Sequence, residues 1–291
     1  FSGLFAMHYK RLESDPDPSD ATGPAILWLK AAGGEPAKLV NNGVTLWGPE
    51  LDRWSFGVGV MLGTTEGGFL INLRGMFVLE LPGPRILVFV KILVVQVMPD
   101  LKPGNDLTVG ILGVIDLDIA RRSFTLGIIV NLEIKEIVSL TVPVELFTKL
   151  DDLKNWHLYI GTFGAPASAT VLDIVRGFGY VMIAGHEISG WPGYGELRNL
   201  PGIAMAAGIG ASVVFGDESI GLYLKVSARA DVAVSFSPRL FLVGRIQLDG
   251  ELRLFIVSVG AHGRLDVEAP DPTYLTGEIC GHVDFFFFSV E

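Results

Sequence analysis

LYLKVSARADVAVSF, residues 222–236, alternates without a break. Leu222, Leu224, Val226, Ala228, Ala230, Val232, Val234 and Phe236 hold the even positions, while Lys225, Ser227, Arg229, Asp231 and Ser235 are among the odd ones. Successive side chains of an extended chain point to opposite faces, so this run has one apolar face and one wet face. A helix would scatter the same charges around its axis. At about 3.3 Å per residue the run reaches on the order of 50 Å, well past the usual strand of about five or six residues.

The same pattern recurs outward from this stretch. Phe124, Leu126, Ile128, Val130, Leu132 and Ile134 share a face opposite Thr125, Asn131, Glu133 and Lys135, and Ile246, Leu248, Leu252 and Leu254 alternate with Arg245, Gln247, Asp249, Glu251 and Arg253. RILVFVKILVVQV, residues 85–97, differs: it is apolar on both faces apart from Lys91 and Gln96, as expected of a strand covered on two sides. Turn residues punctuate the runs at Gly67-Gly68, Pro82-Gly83-Pro84, Pro103-Gly104-Asn105-Asp106, Gly216-Asp217-Glu218 and Pro270-Asp271-Pro272. The segment from Gly75, GMFVLELPGPRILVFVK, echoes that from Gly263, GRLDVEAPDPTYLTGEI, which suggests a recurring hairpin.

The expected fold is therefore all-β: long antiparallel hairpins in layered or strongly curved sheets, with one or two short helices. The helical turns are expected around Leu146, Leu150 and Leu153 after Pro143, and in ATVLDIVRGF, residues 169–178. Residues 185–202, with Trp191-Pro192-Gly193-Tyr194-Gly195, read as an irregular linker between a β-rich region 1–184 and a C-terminal meander 203–291.

Composition narrows the function classes. Hydrophobic residues make up 49% of the 291-residue chain, charged ones 19%, and mean hydropathy is +0.47, so large surfaces are buried or covered by a partner. With 22 Lys+Arg against 32 Asp+Glu, the net charge of −10 gives nucleic acid no electrostatic basis for binding. One cysteine, Cys280, rules out an intramolecular disulfide and a four-cysteine zinc site. The chain opens on FSGLFAMHYK and closes on DFFFFSVE; both ends read as cuts through a longer polypeptide.

Chemistry-bearing residues are few. Glu278, Cys280, His282 and Asp284 share one face of a strand, and a hairpin would bring His262, Arg264 and Asp266 opposite. Cys280, His282, His262 and Asp284 are the donors that would suit zinc, although a flat strand supplies tetrahedral convergence poorly. No other cofactor is expected. The pairs Asp116/Asp118 and Asp266/Glu268 read as solvated sheet positions. No G-x-S-x-G elbow is present, and AAGIGA, residues 206–211, lacks the third glycine of a dinucleotide fingerprint.

NWHLYIGT (155–162), GYVMI (179–183) and VEAPDPTYLTGEICGHVDFFFFSVE (267–291) resemble segments of very large, functionally uncharacterised β-rich bacterial proteins. The resemblance implies a portion of a long polypeptide, in some cases associated with extracellular injection or secretion machinery, and supplies no catalytic residues.

The first functional expectation is a non-catalytic β-scaffold or binding module of a larger assembly. Its sheet edges would meet the remainder of the chain or another protein, and an apolar face would meet a lipid-like ligand or partner. A hydrolase of polymers, with Trp28, Trp47, Trp54, Trp156 or Trp191 as stacking platforms, is the alternative. An outer-membrane β-barrel is the third; the high mean hydropathy, the doubly apolar 85–97 run and the short turns at both ends of the hairpins, where one set of loops should be long, weigh against it.

Overall fold

The computed structural model describes residues 2–12, 22–33, 35–41, 43–66, 69–96, 107–134, 137–188, 191, 200–237, 240–269, 273–285 and 288–290. Strand β1 (Ser2–Arg11) precedes helix α1 (Pro24–Ala32) and a small ribbon of β2 (Val40–Asn41) and β3 (Val44–Thr45). Long strands follow: β4 (Trp47–Glu66), β5 (Phe69–Leu81), β6 (Arg85–Gln96), β7 (Leu107–Asp118), β8 (Ser123–Ile134) and β9 (Val138–Lys149). After them come β10 (Trp156–Ile160), β11 (Ala167–Val171), β12 (Val175–Ala184) and a second ribbon of β13 (Glu187–Ile188) and β14 (Leu200–Pro201). The chain continues with β15 (Ala204–Asp217), β16 (Leu222–Ser235), β17 (Phe241–Leu254), β18 (Val257–Ala269), β19 (Tyr274–Phe285) and β20 (Phe288–Val290).

Apart from the two ribbons, all strands join one antiparallel sheet in the order β1-β4-β5-β6-β7-β8-β9-β10-β12-β15-β16-β17-β18-β19-β20. β10 and β11 are two halves of a single strand position, since both lie between β9 and β12. The gap between them falls at Pro143. Gly161 donates to the Pro143 carbonyl there, and the missing N–H of the proline faces the place where the neighbouring chain leaves the sheet.

Among the described residues the fold is all-β with a single short helix, which is not where the leucine spacing pointed. Residues 138–149 form β9, because Val142, Val144 and Leu146 alternate with Thr141, Pro143 and Glu145; the 169–178 segment divides between β11, a turn and β12. The helix is PAILWLKAA instead. Pro24 opens it, Gly33 closes it in the left-handed conformation at φ 54°, and Ala25, Ile26, Trp28, Leu29 and Ala32 are buried, so it shows no wet stripe to betray it in the sequence.

Both hydrophobic cores lie on the same face of the sheet. One is α1 packed on Met76, Val78, Leu87, Phe89, Val114 and Ile129. The other seats Ile188, Trp191 and Leu200 on Tyr159, Tyr180, Met182, Ala204, Ala206, Ala233 and Val243. Thus described residues of the 185–202 segment cover the sheet from inside, while β12 and β15 pair directly through ten residues, Val175–Ala184 against Ala204–Val213.

That covered face is concave at the β1 corner. Arg11 of β1 stands four strand positions from β7, about 19 Å away in a flat sheet at ~4.8 Å spacing. Yet its guanidinium Nη2 lies 2.5 Å from Asp116 Oδ2. The corner must curl inward, and it does so past a bulge at His8 and Asp52, whose φ values are 61° and 62°.

Candidate functional site

Strand register puts the two faces in sharp chemical contrast. On the face opposite α1, the row Phe5, Phe56, Leu79, Ile86, Leu117 and Phe124 crosses six adjacent strands, and Ile209, Ala230, Ile246 and Leu265 cross four more. Strand by strand the positions of this convex face run Trp54–Leu62, Leu73–Leu81, Ile86–Val94, Val109–Leu117, Phe124–Ile134, Val138–Leu146, Val175–Ile183, Met205–Phe215, Leu222–Val234, Leu242–Leu254, Val257–Ala269 and Leu275–Phe285, taking alternate residues. No Asp, Glu, Lys, Arg, His, Asn or Gln stands among them. Among the described residues no element packs over them: Val58 is 63% exposed, Leu248 55% and Ile279 91%. Soluble monomers rarely expose a contiguous apolar patch beyond a few hundred Å²; here an entire sheet face is apolar and open.

The concave face gathers the charge. At its α1 end Asp116 accepts two bonds from Arg85, at 2.9 and 2.6 Å, and one from Arg11 at 2.5 Å; Arg11 also donates its backbone N–H to Glu80 at 2.9 Å. Arg11, Glu80 and Asp116 are all buried. Glu145 on β9 meets the start of α1, accepting the Ile26 N–H at 3.4 Å, and lies 3.0 Å from His157 Nε2. A carboxylate here complements the positive end of the helix. Gly23 makes this approach feasible, since a Cβ at that position would fall 1.5 Å from Glu145 Oε1. The His157 ring is stacked 4.2 Å from Tyr159 and 5.3 Å from Phe147.

A second buried network sits under Trp191. Trp191 Nε1 donates to Tyr180 Oη at 3.1 Å, the Tyr180 hydroxyl donates to Asp231 at 2.8 Å, and Arg229 binds both oxygens of Asp231 while lying 3.9 Å over Phe163. Tyr180 and Phe178 rest on Gly208 and Gly210, where an added Cβ would approach ring atoms to 2.4 and 2.2 Å. The glycines of AAGIGA thus make room for aromatic side chains. Gly208→Val is expected to lower stability by about 2–4 kcal/mol through overpacking and a broken buried hydrogen bond. Gly250, with open space around it, should tolerate Ala. Urea unfolding followed by circular dichroism checks both.

Further along, β16 to β19 carry a polar ladder: Tyr223 to Glu251, Ser227 to Asp249, Arg245 and Arg264 to Asp266. The expected pairing of β18 with β19 is present, with His262 opposite Cys280 and Arg264 opposite Glu278. The candidate metal donors take separate partners: His262 Nδ1 is 2.5 Å from Asp249, Cys280 Sγ 3.3 Å from Glu278, and His282 3.7 Å from Asp284. Among the described residues no three His, Cys, Asp or Glu side chains gather to hold a metal ion. Pro270-Asp271-Pro272 lies outside the described residues. Asp116 and Asp266 are engaged by arginines, and Asp118 accepts the Arg121 N–H at 2.8 Å. Of the five tryptophans, Trp28, Trp47 and Trp191 are buried anchors, whereas Trp54 is exposed and Trp156 half-buried.

The salt bridge from Arg11 to Asp116 and the capping of α1 by Glu145 are absent from the sequence reading. The partners are separated by 105 and 119 residues, and no local spacing announces them. Comparison of the chain with protein-family models, curated proteins and solved structures finds no match.

Proposed function

We propose that this chain is a non-catalytic, membrane-embedded β-wall: its convex face lies against lipid hydrocarbon and its concave face lines a polar, partly plugged interior. One observation carries the reading, the unbroken absence of charge on an open convex face whose concave side holds the arginines and carboxylates of the same strands. Alternation of apolar-out with polar-in is the side-chain pattern of a β-structure that crosses a bilayer, its backbone groups being satisfied between paired strands. Among the described residues no helix is long and apolar enough to cross a membrane, so the strands are the crossing elements in this reading.

Of the three features that weighed against a barrel, the doubly apolar run has a physical source in the fold. The 85–97 run is apolar on both sides because Leu87 and Phe89 receive α1 on the concave face while Ile86, Val88, Val90, Ile92 and Val94 face outward. The outer edge of β1, and that of β19 outside the three residues that pair with β20, have no neighbouring strand within the described sheet. In hydrocarbon such edges must be paired, so this reading assigns them to further strands of a longer chain or to a partner protein.

Flotation with dioleoyl phosphatidylcholine vesicles tests the reading. The protein should rise with the vesicles and resist extraction by alkaline carbonate. Protein that stays at the bottom of the gradient in a folded state would contradict it.

A further inference from the structure

Resting on the membrane reading, we infer that the convex band is seated in a bilayer of defined hydrocarbon thickness, about 25–30 Å, with Trp54 at one boundary. The band's length supplies the first argument. It spans ten residue steps on β8, from Phe124 to Ile134, and twelve on β16, from Leu222 to Val234. At about 3.3 Å per step these are about 33 and 40 Å along the strand. Strands of membrane barrels tilt by about 40°, which projects the two lengths to about 25 and 30 Å along the membrane normal. The hydrocarbon core of an ordinary bilayer is about 30 Å thick, and barrel bands are about 25 Å tall.

The second argument is independent and comes from where the aromatic residues fall. Trp54 pairs with Leu81 beside the 82–84 turn, Phe124 with Leu117 beside the 119–122 turn, and Trp156 with Thr148, while Phe236 follows directly on β16. All four are at the same end of the meander. At the opposite end stand Phe215, Phe255 and Phe285. Phe77 is further inside the band, and Phe5 and Phe56 lie one convex position in from Trp54. Girdles of aromatic residues flank the apolar band of membrane barrels, and here two rows, indole at Trp54 and Trp156 and phenylalanine elsewhere, bracket the charge-free positions. Beyond the band the chemistry changes at once: Asp217 ends β15 and receives the Ser219 N–H and hydroxyl at 2.8 and 2.6 Å.

Vesicles of dimyristoleoyl, dioleoyl and dierucoyl phosphatidylcholine, which differ in hydrocarbon thickness, test the inference. Association should be strongest in dioleoyl phosphatidylcholine, the intermediate of the three, and fall about tenfold in the least matched, since mismatch costs fractions of a kcal/mol per Å; a maximum in either of the other two would overturn the inference. In the best-matched vesicles, the difference in tryptophan emission between the parent protein and Trp54→Phe should be quenched most by bromines placed near the glycerol end of the acyl chain. Equal association with all three lipids, or Trp54 emission quenched most by bromines at the chain ends, would overturn the inference while leaving membrane residence intact. No association with any of them would overturn the membrane reading itself.

Discussion

Leu248→Arg should cut the partition of the protein into dioleoyl phosphatidylcholine vesicles by roughly 30- to 800-fold, the equivalent of about 2–4 kcal/mol for an arginine near the bilayer midplane. Leu248 is the appropriate site because it lies near the middle of β17, points outward on the convex face and is 55% exposed, with Ala228 and Gly263 as its cross-strand neighbours. In water the substitution meets little, so the folded protein should unfold at nearly the parent's urea concentration. Gln247→Arg, one residue away on the polar face, should leave partition unchanged. A convex face that is covered by protein would give the opposite pattern: loss of assembly or stability with no dependence on lipid.

Asp116→Ala is expected to destabilise the fold by about 3–5 kcal/mol, the cost of breaking a buried ion pair by deleting one partner. Arg11 and Arg85 both converge on this carboxylate, and its removal leaves two guanidiniums close together in a site where Arg11 has only 2% of its side chain exposed. The loss also loosens the inward curl of β1, because Arg11 crosses four strand positions to reach Asp116. Urea unfolding measures the stability, and amide hydrogen exchange at Tyr9 and Lys10 should accelerate more than at β12. Combining Asp116→Leu with Arg85→Met should recover part of the loss, since apolar replacement of a buried pair is often close to neutral. A wild-type urea midpoint in Asp116→Ala would mean that the cluster is solvated rather than holding the corner.

Much of the sheet was legible because alternation is a local property. The even positions of 222–236 do form one face of β16, and the His262–Cys280 and Arg264–Glu278 pairings follow from a hairpin at the predicted place. What was not legible is which face curves inward. Curvature depends on contacts such as Arg11–Asp116 that join strands far apart in the chain, and on α1, whose short sequence, apolar apart from Lys30, mimics a piece of buried strand. The leucines at 146, 150 and 153 misled for a related reason: three residues matched helical spacing while the whole segment from Val138 to Lys149 kept period two. Gly208 and Gly210 could be recognised as unusual, but only the fold identifies Tyr180 and Phe178 as the rings that need their missing side chains.

The central claim is that one face of the sheet meets hydrocarbon and the other does not, and it is most directly measured residue by residue along β17. In a Cys280→Ser background, single spin labels from Gly244 to Leu252 in dioleoyl phosphatidylcholine bilayers would be compared for collision with oxygen and with a water-soluble nickel chelate. Labels at Ile246, Leu248, Gly250 and Leu252 should favour oxygen, labels at Gln247, Asp249 and Glu251 should favour the chelate, and the preference should reverse at every step. Labels at the even positions that are shielded from both reagents, or that meet the chelate as readily as their odd neighbours, would contradict a lipid-facing convex surface.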